Sequence, residues 1–320
     1  MSEGHIAILS CNAVSLSYAT LYISGGHRVV LYGEDAEVSE KVTADIQELL
    51  STYEEKGLLK GSLSRAEQGA LVSCSCSLVE TVSGAFLVQD CLPDKLETKR
   101  KVWQSTDQWV RDDVILVSSA TTLMPSQLSE KLAHKNRFVV VNHVDPLYYL
   151  RAMEVVPAKW TDPDVVTKTV ALLKELGQTP ATLKKEIPGF LINRVQSMLM
   201  REAYRLVHDG VISADECDTL MTEGIGLRYA LMGPWEAVYL DASGMYSLQE
   251  RYGDMVYKAQ LDLKPELPMV GETVDRMQAS MERVAGPSSN GAKRMKALES
   301  KVAAFAKLKQ DFDEEDSKVK

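Results

Sequence analysis

The sequence lacks any run of about 18 apolar residues, so no helical membrane span is expected. The opening stretch MSEGHIAIL has no basic segment followed by an apolar one and a small-residue cleavage site, so no secretory signal is expected either. Basic side chains are outnumbered, 36 against 45 acidic, and the formal charge is −9. Long-range attraction to nucleic acid or to anionic membranes then has the wrong sign, and neither is an expected partner. Cysteine is sparse: there are five, an odd number that suits a reducing compartment and points to the cytoplasm. Cys74-Ser75-Cys76 is too tightly spaced for a CxxC redox or zinc pair, and no histidine cluster accompanies it, so no metal is expected.

What is present is an ordinary globular composition, 45% hydrophobic and 25% charged, in a chain of 320 residues that is long for one domain. The first half alternates short β-branched runs with helix-like segments. Candidate strands are His5–Ser10, Arg28–Tyr32, Ala70–Ser73, Ala85–Gln89, Asp113–Ser118 and Arg137–Asn142. Their near-continuous apolar character is what a parallel sheet covered on both faces requires. Ala36–Glu55 repeats Val42, Ile46, Leu49 and Leu50 at helical spacing. This alternation predicts an α/β Rossmann-like doubly wound sheet. Beyond Pro188-Gly189 only helical periodicity is visible, and Ser213-Ala-Asp-Glu216 reads as a capping box. The expected division is a Rossmann-like domain over 1–187 and an all-helical domain over 188–320, ending in a charged tail.

One further absence bears on chemistry. Ile6–Asp35 has the layout of a dinucleotide-binding βαβ start, yet Ser10, Asn12 and Ser15 stand where such a turn places three glycines. Those glycines permit a tight turn, close approach of backbone to the pyrophosphate, and close packing of helix on strand. Asparagine tolerates positive φ better than other non-glycine residues, so Asn12 is compatible with the turn, but its side chain is expected to project into the phosphate's space. At the end of the second strand, Gly33 occupies the place of the carboxylate that receives the adenosine ribose, with Glu34 one step later.

Several collinear segments carry a resemblance: EKGLLKGSLSRAEQ (55–68), QDCLPDKLETKRKVW (89–103), LMPSQL (123–128), HVDPLYYLRAMEVVP (143–157), EIPGFLINRVQ (186–196) and EGIGLRYALMGPWEAVYLDASGM (223–245). With them, and over nearly its full length, the chain resembles the 3-hydroxyacyl-CoA dehydrogenase family in its lambda-crystallin (L-gulonate 3-dehydrogenase) branch. The resemblance implies NAD as cofactor, a helical C-terminal domain that forms a homodimer, and an active site between the domains. It also implies a histidine base oriented by a glutamate, with a serine and an asparagine on the substrate oxygen. The glutamate falls on Glu154, the asparagine on Asn193 and the serine on Thr121. Asp94 and Lys99 match cofactor-contacting positions, although either reads equally well as a solvated charge at a helix end. Arg228 could pair with a substrate carboxylate or lie along a helix surface.

The base departs from the pattern. Where the family has His-x-x-Asn-Pro, this chain has Asn142-His143-Val144-Asp145-Pro146. Aligned on the proline, Asn142 takes the histidine's place. His143, one residue later on a strand, points to the opposite face unless a bulge re-aims it. The expected function is therefore a catalytically impaired or inactive homologue of an NAD-dependent 3-hydroxy acid dehydrogenase, with cofactor binding in doubt. The alternative is an active oxidoreductase on L-gulonate or another small 3-hydroxy acid or 3-hydroxyacyl-CoA. A binding protein for another nucleotide or an acyl-CoA-like ligand stays open beside them.

Overall fold

The computed structural model describes residues 4–33 and 35–317. In chain order its first part runs β1 (His5–Ile8), α1 (Ala13–Ser24), β2 (Val29–Tyr32), α2 (Ala36–Glu55), α3 (Arg65–Gly69), β3 (Val72–Ser75), α4 (Leu78–Val82), β4 (Ala85–Asp90), α5 (Leu96–Thr106), β5 (Ile115–Ser118), α6 (Pro125–Ser129) and β6 (Phe138–His143). It continues through β7 (Ala152–Pro157), α7 (Pro163–Glu175) and β8 (Thr179–Thr182) to α8 (Ile192–His208). The sheet order is β3-β2-β1-β4-β5-β6-β7-β8. Every neighbouring pair is parallel except β6 with β7. This is the doubly wound Rossmann arrangement read from the sequence, extended by two strands at one edge.

Strand alternation sorts the side chains into two cores, one on each face. Ile6, Ile8, Val139, Val141, Met153 and Val155 pack with Tyr18 of α1 on one face. Ala7, Leu9, Phe138, Val140 and Val156 pack with Trp103 of α5 on the other. Helix α2 forms because Asp35 caps it, accepting from Val38 N at 2.8 Å, and because Val42, Ile46 and Leu50 bury one stripe. Each of those side chains contributes about 1.5–3 kcal/mol.

The chain divides into two compact units, up to Arg194 and from Val195. Within the second, the described residues form a set of helices: α9 (Ala214–Leu220), α10 (Gly226–Leu231), α11 (Pro234–Ala242), α12 (Met245–Leu261), α13 (Glu272–Ala285) and α14 (Gly291–Ser317). Ser213 and Glu216 make the capping box at the start of α9. No helix among the described residues is long and apolar enough to cross a membrane.

Candidate functional site

The first turn differs from the strained loop that its missing glycines suggest. Asn12 has φ −128° and ψ 179°, an extended conformation that costs an asparagine nothing. It is the N-cap of α1, and its Oδ1 accepts from Ser15 N at 3.0 Å and from Ser15 Oγ at 3.2 Å. Its Nδ2 donates to Cys91 O at 2.7 Å and to Ser10 Oγ at 2.9 Å. Ser10 Oγ and Ser15 Oγ are themselves 2.8 Å apart. The three residues in place of glycines thus form one closed network, tied to the end of β4, instead of projecting outward. The Ser15 amide that a helix N-terminus could offer to an anion is already satisfied by Asn12.

The end of β2 supplies no spare carboxylate among the described residues. A Cβ on Gly33 would meet Ser39 Oγ at 2.4 Å, so an acidic side chain there requires Ser39 to move. Asp35 is committed to capping α2, and Glu34 lies outside the described residues.

Residues from three further segments meet on the Trp103 face of the sheet. Asn142 and Glu154 are partners in the antiparallel β6–β7 register, and both are buried. Asn142 Nδ2 donates to Glu154 Oε2 at 2.6 Å. The other carboxylate oxygen accepts from Leu191 N at 2.6 Å and Ile192 N at 3.0 Å, at the start of α8. The approach to α8 is shaped by Gly189 and Phe190, whose φ values are 75° and 50°. Left-handed backbone costs a phenylalanine about 1–2 kcal/mol, and its ring is fully buried in the core beneath. Asn193 Nδ2 donates to Thr121 O at 2.6 Å. The Thr121 hydroxyl and amide donate to Asp94 Oδ2 at 2.9 and 2.8 Å, and Thr122 adds two longer bonds. Asp94 is therefore the hub of the turn after β5.

His143 faces the other way. It pairs with Met153, its ring is on the α1 face, and the β6–β7 register runs through it without a shift. Nδ1 lies 3.2 Å from the Tyr18 hydroxyl and Nε2 3.3 Å from Asp145 Oδ1, with Tyr18 packed edge-on against the imidazole. The Asp145 carboxyl is held below its usual range, first by its hydrogen bond to His143. No bulge re-aims this histidine toward Glu154.

Lys99 is fully buried, donating to Asp90 at 2.9 and 3.1 Å and lying 3.7 Å from Asp94. Asp90 also accepts from Trp103 Nε1 at 3.2 Å and Ser118 Oγ at 2.6 Å. Burial and complete pairing make Lys99 a pillar of the core, not a solvated charge. In the second unit, Arg228 pairs with Asp241 at 2.6 Å in an exposed setting. Sequence reasoning missed Asp90, which anchors this network. Its place at the end of the apolar run FLVQD was the available signal.

Residues 5–187 match the 3-hydroxyacyl-CoA dehydrogenase NAD binding domain, and residues 189–272 match the 3-hydroxyacyl-CoA dehydrogenase C-terminal domain. Lambda-crystallin from Oryctolagus cuniculus is 36% identical over 312 residues, 97% of this chain and 98% of that protein. L-carnitine dehydrogenase from Oceanobacillus iheyensis is 29% identical over 250 residues, 78% of this chain and 80% of that protein. The fold matches that of 5-formyl-3-hydroxy-2-methylpyridine 4-carboxylic acid 5-dehydrogenase, an NAD+-dependent dismutase, with a TM-score of 0.80. That match covers 96% of this chain and 98% of the other at 24% identity.

Proposed function

The chain belongs to the 3-hydroxyacyl-CoA dehydrogenase family, in its lambda-crystallin branch, and from that premise we propose that it is a catalytically impaired member. One observation carries this reading. The side chain that faces the buried Glu154 is an amide, Asn142, whose Nδ2 already donates to the carboxylate. An asparagine takes up no proton near neutral pH, so position 142 supplies no general base for oxidation of a hydroxyl. His143 is engaged by Tyr18 and Asp145 on the opposite face.

The same reading holds that NAD binds weakly. Support comes from the capped Ser15 amide and from Gly33 in the place of the ribose carboxylate. The residues present fit a dinucleotide poorly. The ligand class is a small hydroxy acid or an acyl-CoA-like molecule, in keeping with relatives such as L-carnitine dehydrogenase. We further propose a domain boundary at residue 187 and a cytosolic homodimer. The dimer is supported by the exposed apolar side chains of the helical unit, among them Trp235, Tyr246, Met255 and Leu261. The five unbridged cysteines support the compartment.

The test is a melting series with NADH, together with turnover assays on L-gulonate, L-carnitine and 3-hydroxybutyryl-CoA. A ligand that binds only the folded state raises the midpoint. A small shift at millimolar NADH and no turnover are expected. Turnover that survives His143→Ala and is lost in Asn142→Ala overturns the proposal.

A second reading, an active dehydrogenase, is favoured by the contact of Asn193 with Thr121 beside Glu154, which keeps the rest of the family's polar set together.

A further inference from the structure

Two thiols meet beside the first turn, and the function proposed above uses neither. Cys11 follows β1 directly before the Asn12 cap. Its Sγ donates to Tyr32 O at 3.2 Å, which seats it over the C-terminal end of β2. Cys74 lies on β3, in register with Leu31 of β2, so the two cysteines flank the same strand end. The Cys11 thiol, whose single hydrogen can serve either acceptor, also lies within hydrogen-bond reach of the Cys74 sulfur, and Thr43 Oγ1 stands 3.8 Å from that sulfur. Against half-burial, these contacts, Cys11 foremost, draw the Cys74 thiol down to about 7. Cys74 forms part of the wall of an open cavity of about 480 Å³ lined by Ser39, Glu40, Thr43, Ala44 and Gln47.

The other cysteines lack one condition or another. Cys91 is buried, and burial pushes its thiol far up. Cys217 is in the helical unit. Cys76 is exposed, and its sulfur meets a hydroxyl, Ser39 Oγ at 3.8 Å. Only Cys74 combines thiolate character, access from solvent and a second thiol within reach.

We propose that Cys74 and Cys11 form a peroxide-sensitive dithiol that closes to a disulfide across the end of β2. The oxidant is a hydroperoxide. The Cys74 thiolate attacks its terminal oxygen, the O–O bond breaks, and the leaving alkoxide or hydroxide takes up a proton as Cys74 becomes a sulfenic acid. The Cys11 sulfur then attacks that of Cys74; the S–S bond forms, the S–O bond breaks, and hydroxide leaves as water with the Cys11 proton. Two thiols lose two electrons and the hydroperoxide gains them. A disulfide S–S bond of about 2.05 Å is much shorter than a thiol–thiol hydrogen bond, so closure draws the Ser10–Asn12 segment toward β3. That displacement reaches the Asn12 network and closes the turn to a nucleotide, a consequence that rests on the turn being the nucleotide site.

The experiment uses the full-length reduced protein. Hydrogen peroxide is added, free thiols are alkylated, and peptides are mapped by mass without reduction. The expected product is a Cys11–Cys74 link that has lost two hydrogens. In Cys11→Ser, Cys74 stops at a sulfenic acid that dimedone traps; in Cys74→Ser, Cys11 stays reduced. Without peroxide, alkylation of Cys74 by iodoacetamide at neutral pH is expected to be about threefold faster than that of an ordinary exposed thiol. A higher thiolate fraction outweighs the lower nucleophilicity of each thiolate. Links between other cysteines, or oxidation of Cys76 ahead of Cys74, overturn the proposal. NADH titration separates it from the reading it rests on. If the reduced protein binds no NADH but the link forms, the nucleotide reading fails and the dithiol stands. If the link forms and NADH binding is unchanged, closure of the turn is refuted.

Discussion

Replacing Asn142 with histidine tests the proposed loss of chemistry most directly. Position 142 is in register with Glu154, and its present side chain reaches the carboxylate at 2.6 Å. An imidazole there points into the same face and meets the same oxygen. A positioned general base contributes roughly 10²–10⁴-fold in rate, so turnover is expected to rise from background by about that factor. The larger ring enters a buried site, and overpacking costs about 1–3 kcal/mol. A charge-assisted hydrogen bond to Glu154 offsets about 1.5–3 kcal/mol of that. A cooperative melt within a few degrees of the parent is therefore expected. The new imidazole sits beside a carboxylate that raises its pKa in the folded state. Its pairing then stabilises the fold fully below about pH 6.5 and is lost as pH rises through the folded value. The rate runs the opposite way, climbing as the imidazole loses its proton. The assay is NADH formation at millimolar NAD with small hydroxy acids, over pH, with melting and NADH titration on the same preparation. A variant that folds, binds NADH and shows no gain refutes the reasoning.

Further outcomes follow from the buried networks. Lys99→Met leaves Asp90 as an unpaired carboxylate at the centre of the sheet and is expected to cost about 3–5 kcal/mol, read as a lowered urea midpoint. The double change with Asp90→Leu should recover much of that loss. Asn12→Gly removes the four side-chain hydrogen bonds of Asn12 at a cost of about 1–3 kcal/mol, yet frees the Ser15 amide and is expected to tighten NADH binding by titration. Glu154→Gln sets a donor against the Asn142 amide or the α8 amides, with an expected loss of about 1–3 kcal/mol in thermal melting. Hydrogen bonds from Lys168 and Arg137 hold the Asp164 carboxyl down to about 2. Because the folded value is depressed, this stabilisation is complete above about pH 4 and lost as pH falls toward 2. Asp164→Asn should flatten that part of an acid titration followed by circular dichroism.

The first six strands and α2 were legible because apolar runs such as FVVV and the Val42-Ile46-Leu50 stripe report burial directly. The edge strands were not. In β7, Glu154 interrupts the apolar run, since its charge is satisfied by partners distant in sequence. In β8, Thr-Pro-Ala-Thr is mostly exposed and has almost no pattern to read. The first turn is ambiguous for a different reason: at that position Asn12 reads as a substitute for glycine, while Asn-x-x-Ser at the head of a helix is also a cap-to-N3 spacing. The opposite facing of His143 followed from strand parity alone, a constraint that needs no tertiary information. The meeting of Asn142 with Glu154 depended on an antiparallel register, which nothing local specifies.

Glu154 also changes how the survival of a motif should be weighed. Its carboxylate anchors the first amides of α8, the helix whose residues run from one compact unit into the other. A lineage that abandons hydride chemistry is free to let a general base drift to asparagine, but it is not free to lose this anchor. The acid of a catalytic pair can therefore outlive the reaction as an architectural part. On the proposed reading, the retained glutamate marks the helix anchor and not activity, and the side chain across the strand from it, Asn142, carries the functional distinction.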